Sequence, residues 1–256
     1  MKGLLTKVVD QAWKASSHTR EQFAYRVLPN FLLEILTKYL RVESSGVSNL
    51  PKSGPCIVIA NHSGYMGFDA LMLGHQIHHH RKRIPKIVAH KLWFLRPEIS
   101  VHAHKLGMVP ATLANARAIL EKKGILILFP EGEEGNFKPS RYRYRLRRFR
   151  RGFARLALQT GAPIIPATVV GAEETSLTLS QLRWTKDLVG IIIPIPLNVI
   201  PLPARWSIRF HEPILLDKDP ELAEDLKHVT RISMRVRKEV QALLKAHVRE
   251  RTTIFL

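Results

Sequence analysis

Cysteine is almost absent: Cys56 is the single one among 256 residues. No intrachain disulfide can form and no zinc site built on cysteine pairs is possible, so a reducing compartment is the natural reading. Long apolar runs are missing too. A membrane-crossing helix needs about 20 consecutive apolar residues. The nearest stretch, 188–204, carries Pro194, Pro196, Pro201 and Pro203, which exclude a regular helix. Acidic residues are scarce beside basic ones, 21 against 40, for a formal net charge of +19. Such a surface attracts polyanions: nucleic acid, anionic lipid or a phosphorylated substrate. A hydrophobic share of 45% excludes a disordered chain.

What is present falls into an alternating pattern. The first residues carry Lys7, Asp10 and Lys14 and so lack the continuous apolar stretch of a signal peptide. They read as a short amphipathic helix with Leu4, Leu5, Val8, Val9 and Trp13 on one face. A second helical segment, 21–41, presents Phe31, Leu32, Ile35, Leu36, Tyr39 and Leu40 as a wide apolar stripe, fit to cover a sheet or to lie on lipid. Strands are expected at 56–60, 84–89, 125–129, 164–170 and, half-exposed, at 206–210. Helices are expected from Asp69, from a Thr112 cap through Lys123, and over 153–160. A final helix over 219–249 has Asp219 as cap and Pro220 at its first position. Strands alternating with helices predict an α/β fold, a mostly parallel central sheet flanked by helices. The expected division is 1–41 as N-terminal amphipathic docking helices and 42–256 as the main domain.

Ligands in such sheets bind beyond the carboxyl ends of the strands. Two polar clusters fall there. His62 follows the strand 56–60, and Asp69 lies seven positions on. A carboxylate bonded to one imidazole nitrogen lets the other take a proton from a hydroxyl. The same pair also suits a histidine held at a strand end beside a helix-capping aspartate. Ser63 and Gly64 leave room next to the ring. The second cluster is Phe129-Pro130-Glu131-Gly132-Glu133-Glu134, whose spacing matches no calcium loop. A third is basic: Lys138, Arg141, Arg143, Arg145, Arg147, Arg148, Arg150, Arg151 and Arg155, with Tyr142, Tyr144, Phe149 and Phe153 interleaved. It suits phosphate, single-stranded nucleic acid, an anionic membrane surface or plain solvent. His78-His79-His80 lacks the acidic neighbour of a closed metal site.

Taken in order, the blocks resemble the glycerolipid (PlsC-like) acyltransferase superfamily, which includes 1-acylglycerol-3-phosphate acyltransferases. Asn61-His62-Ser63-Gly64 through Asp69 is similar to its NHxxxxD block, and Phe129-Pro130-Glu131-Gly132 to its FPEG block. Lys91 through Pro110, Phe149-Arg150-Arg151-Gly152, 162–167 and 209–214 are similar to its remaining elements. Two departures stand out. Six residues, not four, separate His62 from Asp69, with Gly67 where the aspartate would fall. Glu133-Glu134 also replaces the usual Thr-Arg after FPEG, so the arginines at 141–151 would have to take over its contact with acceptor phosphate.

The resemblance implies a glycerol-3-phosphate acyltransferase-like fold and an O-acyltransferase of phospholipid biosynthesis. His62 and Asp69 would be catalytic. Ser63, Gly64, Glu131, Gly132, Lys138, Arg141, Arg150 and Arg151 would bind substrate, with oxyanion stabilisation from backbone near Ser63-Gly64 or Glu131-Gly132. The co-substrate would be acyl-CoA or acyl carrier protein (acyl-ACP), and the acceptor a lyso-lipid or glycerolipid. No metal or other cofactor and no nucleic acid would be needed. The chain would sit peripherally on an anionic membrane, at its cytoplasmic face, through the N-terminal helices and the 188–204 segment. The alternative is a non-catalytic anionic-lipid-binding protein on the same fold.

Overall fold

The computed structural model describes residues 11, 13, 14, 16, 19–64 and 67–255. The expected helix face of Leu4, Leu5, Val8 and Val9 lies outside the described residues. A seven-stranded sheet organises the rest. Its strands are β1 (Glu43–Ser45), β2 (Cys56–Ala60), β3 (Lys86–Ala89), β4 (Met108–Pro110), β5 (Ile125–Leu128), β6 (Ile164–Val170) and β9 (Ser207–Phe210), in the order β1-β9-β6-β2-β5-β3-β4. Every pairing is parallel except β6 with β9. The fold is therefore α/β with a mostly parallel sheet, as the alternation predicts.

β2 lies between β5 and β6, and all five of its residues are buried. That is why Cys-Ile-Val-Ile-Ala reads as a continuous apolar run: a central parallel strand is covered on both faces. Side chains alternate along it. Ile57 and Ile59 enter one core, with α4 (Leu113–Glu121), α6 (Gly152–Thr160) and α9 (Leu226–Arg249). Cys56, Val58 and Ala60 enter the other, beneath α2 (Phe68–Arg81) and α1 (Leu28–Tyr39). Burial pushes the Cys56 thiol up to about 12, against the pull of Arg83, so it is an inert core group.

The helix signals act locally. Thr112 caps α4 by accepting from Asn115 N, and α6 ends on Gly161 in the left-handed conformation. Helical residues Arg20–Gln22, a π-helical turn Phe23–Val27 and α1 run on without interruption. The remaining helices are α3 (Pro97–Lys105), α5 (Glu133–Asn136), α7 (Ala172–Thr175) and α8 (Thr185–Val189).

Two expectations are corrected. The final helix starts at Leu226, not near Asp219. Asp225 accepts from both Lys227 N and His228 N, while Asp219 closes only a turn to Leu222 N, so the later aspartate is the stronger cap. Leu222 and Leu226 are accordingly exposed, and the buried stripe runs Val229, Ile232, Val236, Val240, Leu244. The strand at 207–210 alternates as expected, one strand in from the edge: Trp206, Ile208 and Phe210 are buried, while Ser207 and Arg209 on the other face are only half-buried. The apolar segment 188–204 contains β8 (Ile193–Pro196), antiparallel to β7 (Thr178–Leu182). Its prolines are tolerated because β8 is one edge of a two-stranded ribbon. Among the described residues no helix is long and apolar enough to cross a membrane.

Candidate active site

The carboxyl end of β2 is held in place by Asn61. Its buried side chain donates to Val169 O (2.9 Å) and accepts from Val169 N (2.8 Å), locking the strand end to β6. His62 comes next and leaves the sheet. Gly67 N then bonds Gly64 O, both glycines at positive φ, and the chain turns back into α2. Gly67 sits at φ +69°, a conformation that strains any residue with a Cβ. An aspartate at the usual family position would suffer that strain. Two residues later, Asp69 stands in the first turn of α2 and faces back to His62.

Asp69 is completely buried and takes three hydrogen bonds. His62 Nδ1 lies 2.6 Å from its Oδ2, Ser63 N donates to the same oxygen at 2.8 Å, and Ala70 N donates to Oδ1 at 2.8 Å. The His62 ring stacks on Phe129 with centroids 4.1 Å apart. Its side chain remains 16% exposed, and Nδ1 is the ring nitrogen that Asp69 holds. With Nδ1–H donated to Asp69, Nε2 is the nitrogen able to accept a proton.

Glu131 is the hub beside this pair. It is buried; its Oε1 accepts from His62 N (3.0 Å) and its Oε2 from Arg147 N (2.6 Å). One carboxyl group thus joins the loop after β2, the loop after β5 and the arginine-rich segment. Arg150 N donates to Pro130 O at 2.8 Å. A Cβ on Gly132 would stand 3.2 Å from Arg150 Cζ, so the guanidinium lies over that glycine. The N–H groups of Ser63 and Gly132 are already taken, by Asp69 and by Phe129 O. The Ser63 hydroxyl is buried and finds no hydrogen-bond partner among the described residues.

The other expected residues divide. Arg150 and Arg151 line, with Glu131, Arg148, Met234 and Arg237, a cavity of about 680 Å³. Arg141 is exposed, stacks on the Tyr142 ring at 4.9 Å and does not line the cavity. Lys138, expected at the substrate, is instead buried in an ion pair with Glu173 at 2.8 Å. Burial pushes Glu173 up to about 7, against the pull of Lys138. Glu133 is held below the usual carboxylate range: burial raises it, but the Lys186 ammonium and the Ile192 N–H outweigh that. Glu134 pairs with Arg183 at 2.7 Å. Both acids that replace Thr-Arg are therefore engaged by the segment around α8. Among the described residues no group of three or more His, Cys, Asp or Glu is placed to hold a metal ion, and His80 bonds Ser44 Oγ instead.

Motif reading missed the part supplied by α9. Arg237 donates to Leu146 O and Arg147 O, and Arg151 donates to Thr230 Oγ1, fastening the arginine-rich segment to the helix. The available signal was the basic repeat Lys227, Arg231, Arg235, which falls on one helical face.

The sequence model of the family described as Acyltransferase matches residues 41–170. An uncharacterized protein of Mycobacterium tuberculosis is 36% identical over 230 residues, covering 85% of this chain and 64% of its own length. A Brassica napus protein named as a chloroplastic 1-acyl-sn-glycerol-3-phosphate acyltransferase is 24% identical over 174 residues, covering 62% of this chain and 46% of its own. The crystal structure of the 1-acyl-sn-glycerophosphate acyltransferase PlsC from Thermotoga maritima superposes with a TM-score of 0.55 at 18% identity, covering 95% of this chain and 89% of that one. The present chain thus spans about 64% of the length of the mycobacterial relative. With half of its residues matching the family model, and with the fold of a solved acyltransferase, the chain belongs to the acyltransferase family.

Proposed function

We propose that the chain is a membrane-associated O-acyltransferase that moves a fatty acyl group from a thioester donor, acyl-CoA or acyl-ACP, to a hydroxyl of a lysophospholipid or related glycerolipid. The observation that carries this reading is the 2.6 Å bond from His62 Nδ1 to a fully buried Asp69, which leaves Nε2 as the nitrogen for the acceptor proton. The acceptor O–H gives its proton to Nε2. The oxygen attacks the thioester carbonyl and a tetrahedral oxyanion forms. The C–S bond breaks, and the departing sulfur takes the proton from the imidazolium. Asp69 fixes the ring and stabilises its charge. No acyl-enzyme is required. The names borne by the Brassica and Thermotoga proteins support a glycerophosphate-type acceptor. Arg150, over Gly132, supplies the cation that the missing Thr-Arg would have given.

An exposed apolar surface supports docking on lipid. Phe31, Leu32, Ile35 and Tyr39 of α1 are exposed, and Tyr39 OH donates to Pro201 O at 2.7 Å. That bond joins the helix stripe to Val199 and Ile200, which are more than three-quarters exposed (76% and 78%). The experiment is thiol release from labelled acyl thioesters with a panel of lyso-lipids and glycerols. His62→Ala should lose about 10²–10⁴-fold in rate with its circular dichroism unchanged. Turnover that survives this substitution removes His62 from the chemistry. Vesicle binding without turnover on any donor leaves a lipid-binding protein.

A further inference from the structure

Glu131 takes two backbone N–H groups on two different oxygens, His62 N on Oε1 and Arg147 N on Oε2. A protonated carboxyl group keeps one good acceptor oxygen and turns the other into a donor. Both N–H groups are held together only by the ionised form. Glu131 is 1% exposed, and a carboxylate so far from water needs a cation close by.

The chain that follows supplies one. α5 lies against the Glu131 side chain: a Cβ on Gly135 would stand 2.5 Å from Glu131 Cβ and 2.9 Å from Oε2, so any side chain there would displace the carboxyl group. Lys138 N then bonds Gly135 O at 3.3 Å, which puts Lys138 in the next turn. Among the described residues Lys138 is the one Lys or Arg that is buried. Its Nζ stands 2.8 Å from Glu173 Oε1, in an ion pair without hydrogen-bond alignment. Burial and Arg147 work against the ammonium, but Glu173 and Glu131 outweigh them and hold Lys138 above its ordinary range. The guanidinium groups nearby are placed elsewhere, that of Arg147 over the Tyr142 ring at 4.8 Å and that of Arg150 over Gly132.

Glu173, in α7, is the weaker of the two claimants. It accepts from Tyr144 N at 3.2 Å. Burial pushes it up to about 7, so below that pH it binds a proton and Lys138 faces Glu131 as the remaining carboxylate. Its neighbour Glu174 is engaged by Arg251 at 2.8 Å and by Tyr144 OH.

We propose that Lys138 is a positioning residue of the acyl-transfer site: its ammonium holds Glu131 ionised, and ionised Glu131 fixes His62 and the arginine-rich segment through their N–H groups. Lys138 does not line the cavity and acts through Glu131. The catalytic half of this role rests on the acyl-transfer reading. Without the ammonium, Glu131 takes up a proton at a higher pH, one N–H group loses its acceptor and the histidine loop loosens. Raising the pH removes that proton and restores the arrangement. An ion pair that only supports the fold has no such dependence.

Two measurements on the full chain test the role. The first is a carboxyl-carbon NMR titration of glutamate-labelled protein, with the Glu131 signal identified by its loss in Glu131→Gln. Lys138→Met should raise the Glu131 midpoint by about one unit or more over wild type. Lys138→Met/Glu173→Gln strands no carboxylate in the ion pair, so it should fold even if the single variant does not, and it should show the same rise. Glu173→Gln alone keeps an acceptor for Tyr144 N and should not raise the midpoint. The second is the pH profile of kcat/KM for thiol release. At about pH 5.5 both variants lacking Lys138 should fall about fivefold or more below wild type, and at about pH 8.5 the gap should close to within about twofold. An unchanged Glu131 midpoint overturns the proposal. So does a deficit of equal size at both pH values, or a rate restored in the double variant, which would make the pair a structural tie. A raised midpoint in a chain that turns over no acyl thioester keeps the link from Lys138 to Glu131 and discards the acyl-transfer reading.

Discussion

His62 and His247 show how surroundings decide what an imidazole does. Both lie next to the sheet and both make short hydrogen bonds. His62 has a carboxyl group behind Nδ1, an aromatic ring stacked on it and a side chain still 16% exposed. His247 is buried between hydroxyls: Nδ1 lies 2.7 Å from Thr168 Oγ1 and Nε2 lies 2.7 Å from Ser207 Oγ. His211 meets the same Thr168 hydroxyl at 2.9 Å. Burial, then the Arg209 charge, pushes both His247 and His211 down to about 4. A ring with both nitrogens bonded to hydroxyls, where burial and Arg209 outweigh the pull of Glu250, stays neutral and fastens β6 and β9 to α9. A ring with one nitrogen on a buried carboxyl group keeps the other for an incoming proton.

The sharpest way to break this contrast is Asp69→Asn. The amide keeps the shape but favours the wrong tautomer, and kcat should fall by about 10²–10⁴-fold with folding retained. Glu131→Ala comes next: it strands two buried N–H groups, and unfolding should show a loss on the order of 2–4 kcal/mol together with reduced turnover. His247→Gln should leave kcat within about twofold and act on stability instead.

The pH dependence sharpens the structural half. The folded values of His247 and His211, about 4, lie below the ordinary 6.5, so the unfolded chain binds more protons between those limits. Their contribution is fully present above pH 6.5 and is lost as pH falls toward 4. Melting curves in that window should drop on the order of 5 °C in wild type and less in His247→Gln. At the small end, Arg150→Gln should raise KM for a phosphate-bearing acceptor about tenfold, while Arg141→Gln, outside the cavity, should change it less than about twofold. Equal effects at 141 and 150 would mean that net charge, not position, recruits the substrate.

What sequence could reveal followed the range of each interaction. The His62–Asp69 pair is local, and its seven-position spacing after an apolar strand made it legible. β2, β5 and β6 were legible because a run buried on both faces needs no alternation, and β9 because its apolar residues alternate. Lys138 was misread because its partner, Glu173, is 35 positions away and nothing near either residue announces the pairing. Glu131 was legible as part of a motif, but its job of joining His62 N to Arg147 N depends on three segments meeting. The start of α9 was displaced because two aspartates compete to cap it, and only packing chooses Asp225.

The bonds from Arg237 to the carbonyls of Leu146 and Arg147 carry a consequence for biosynthesis. A ribosome makes the His–Asp corner early and α9 about 160 residues later. Until that helix emerges, a nascent chain holds a proton acceptor with no anchored cationic wall to deliver a thioester to it. Competence to react arrives only when that helix docks, and a product truncated before residue 226 should lose both the wall that gathers substrate and the cover on one face of the central strands.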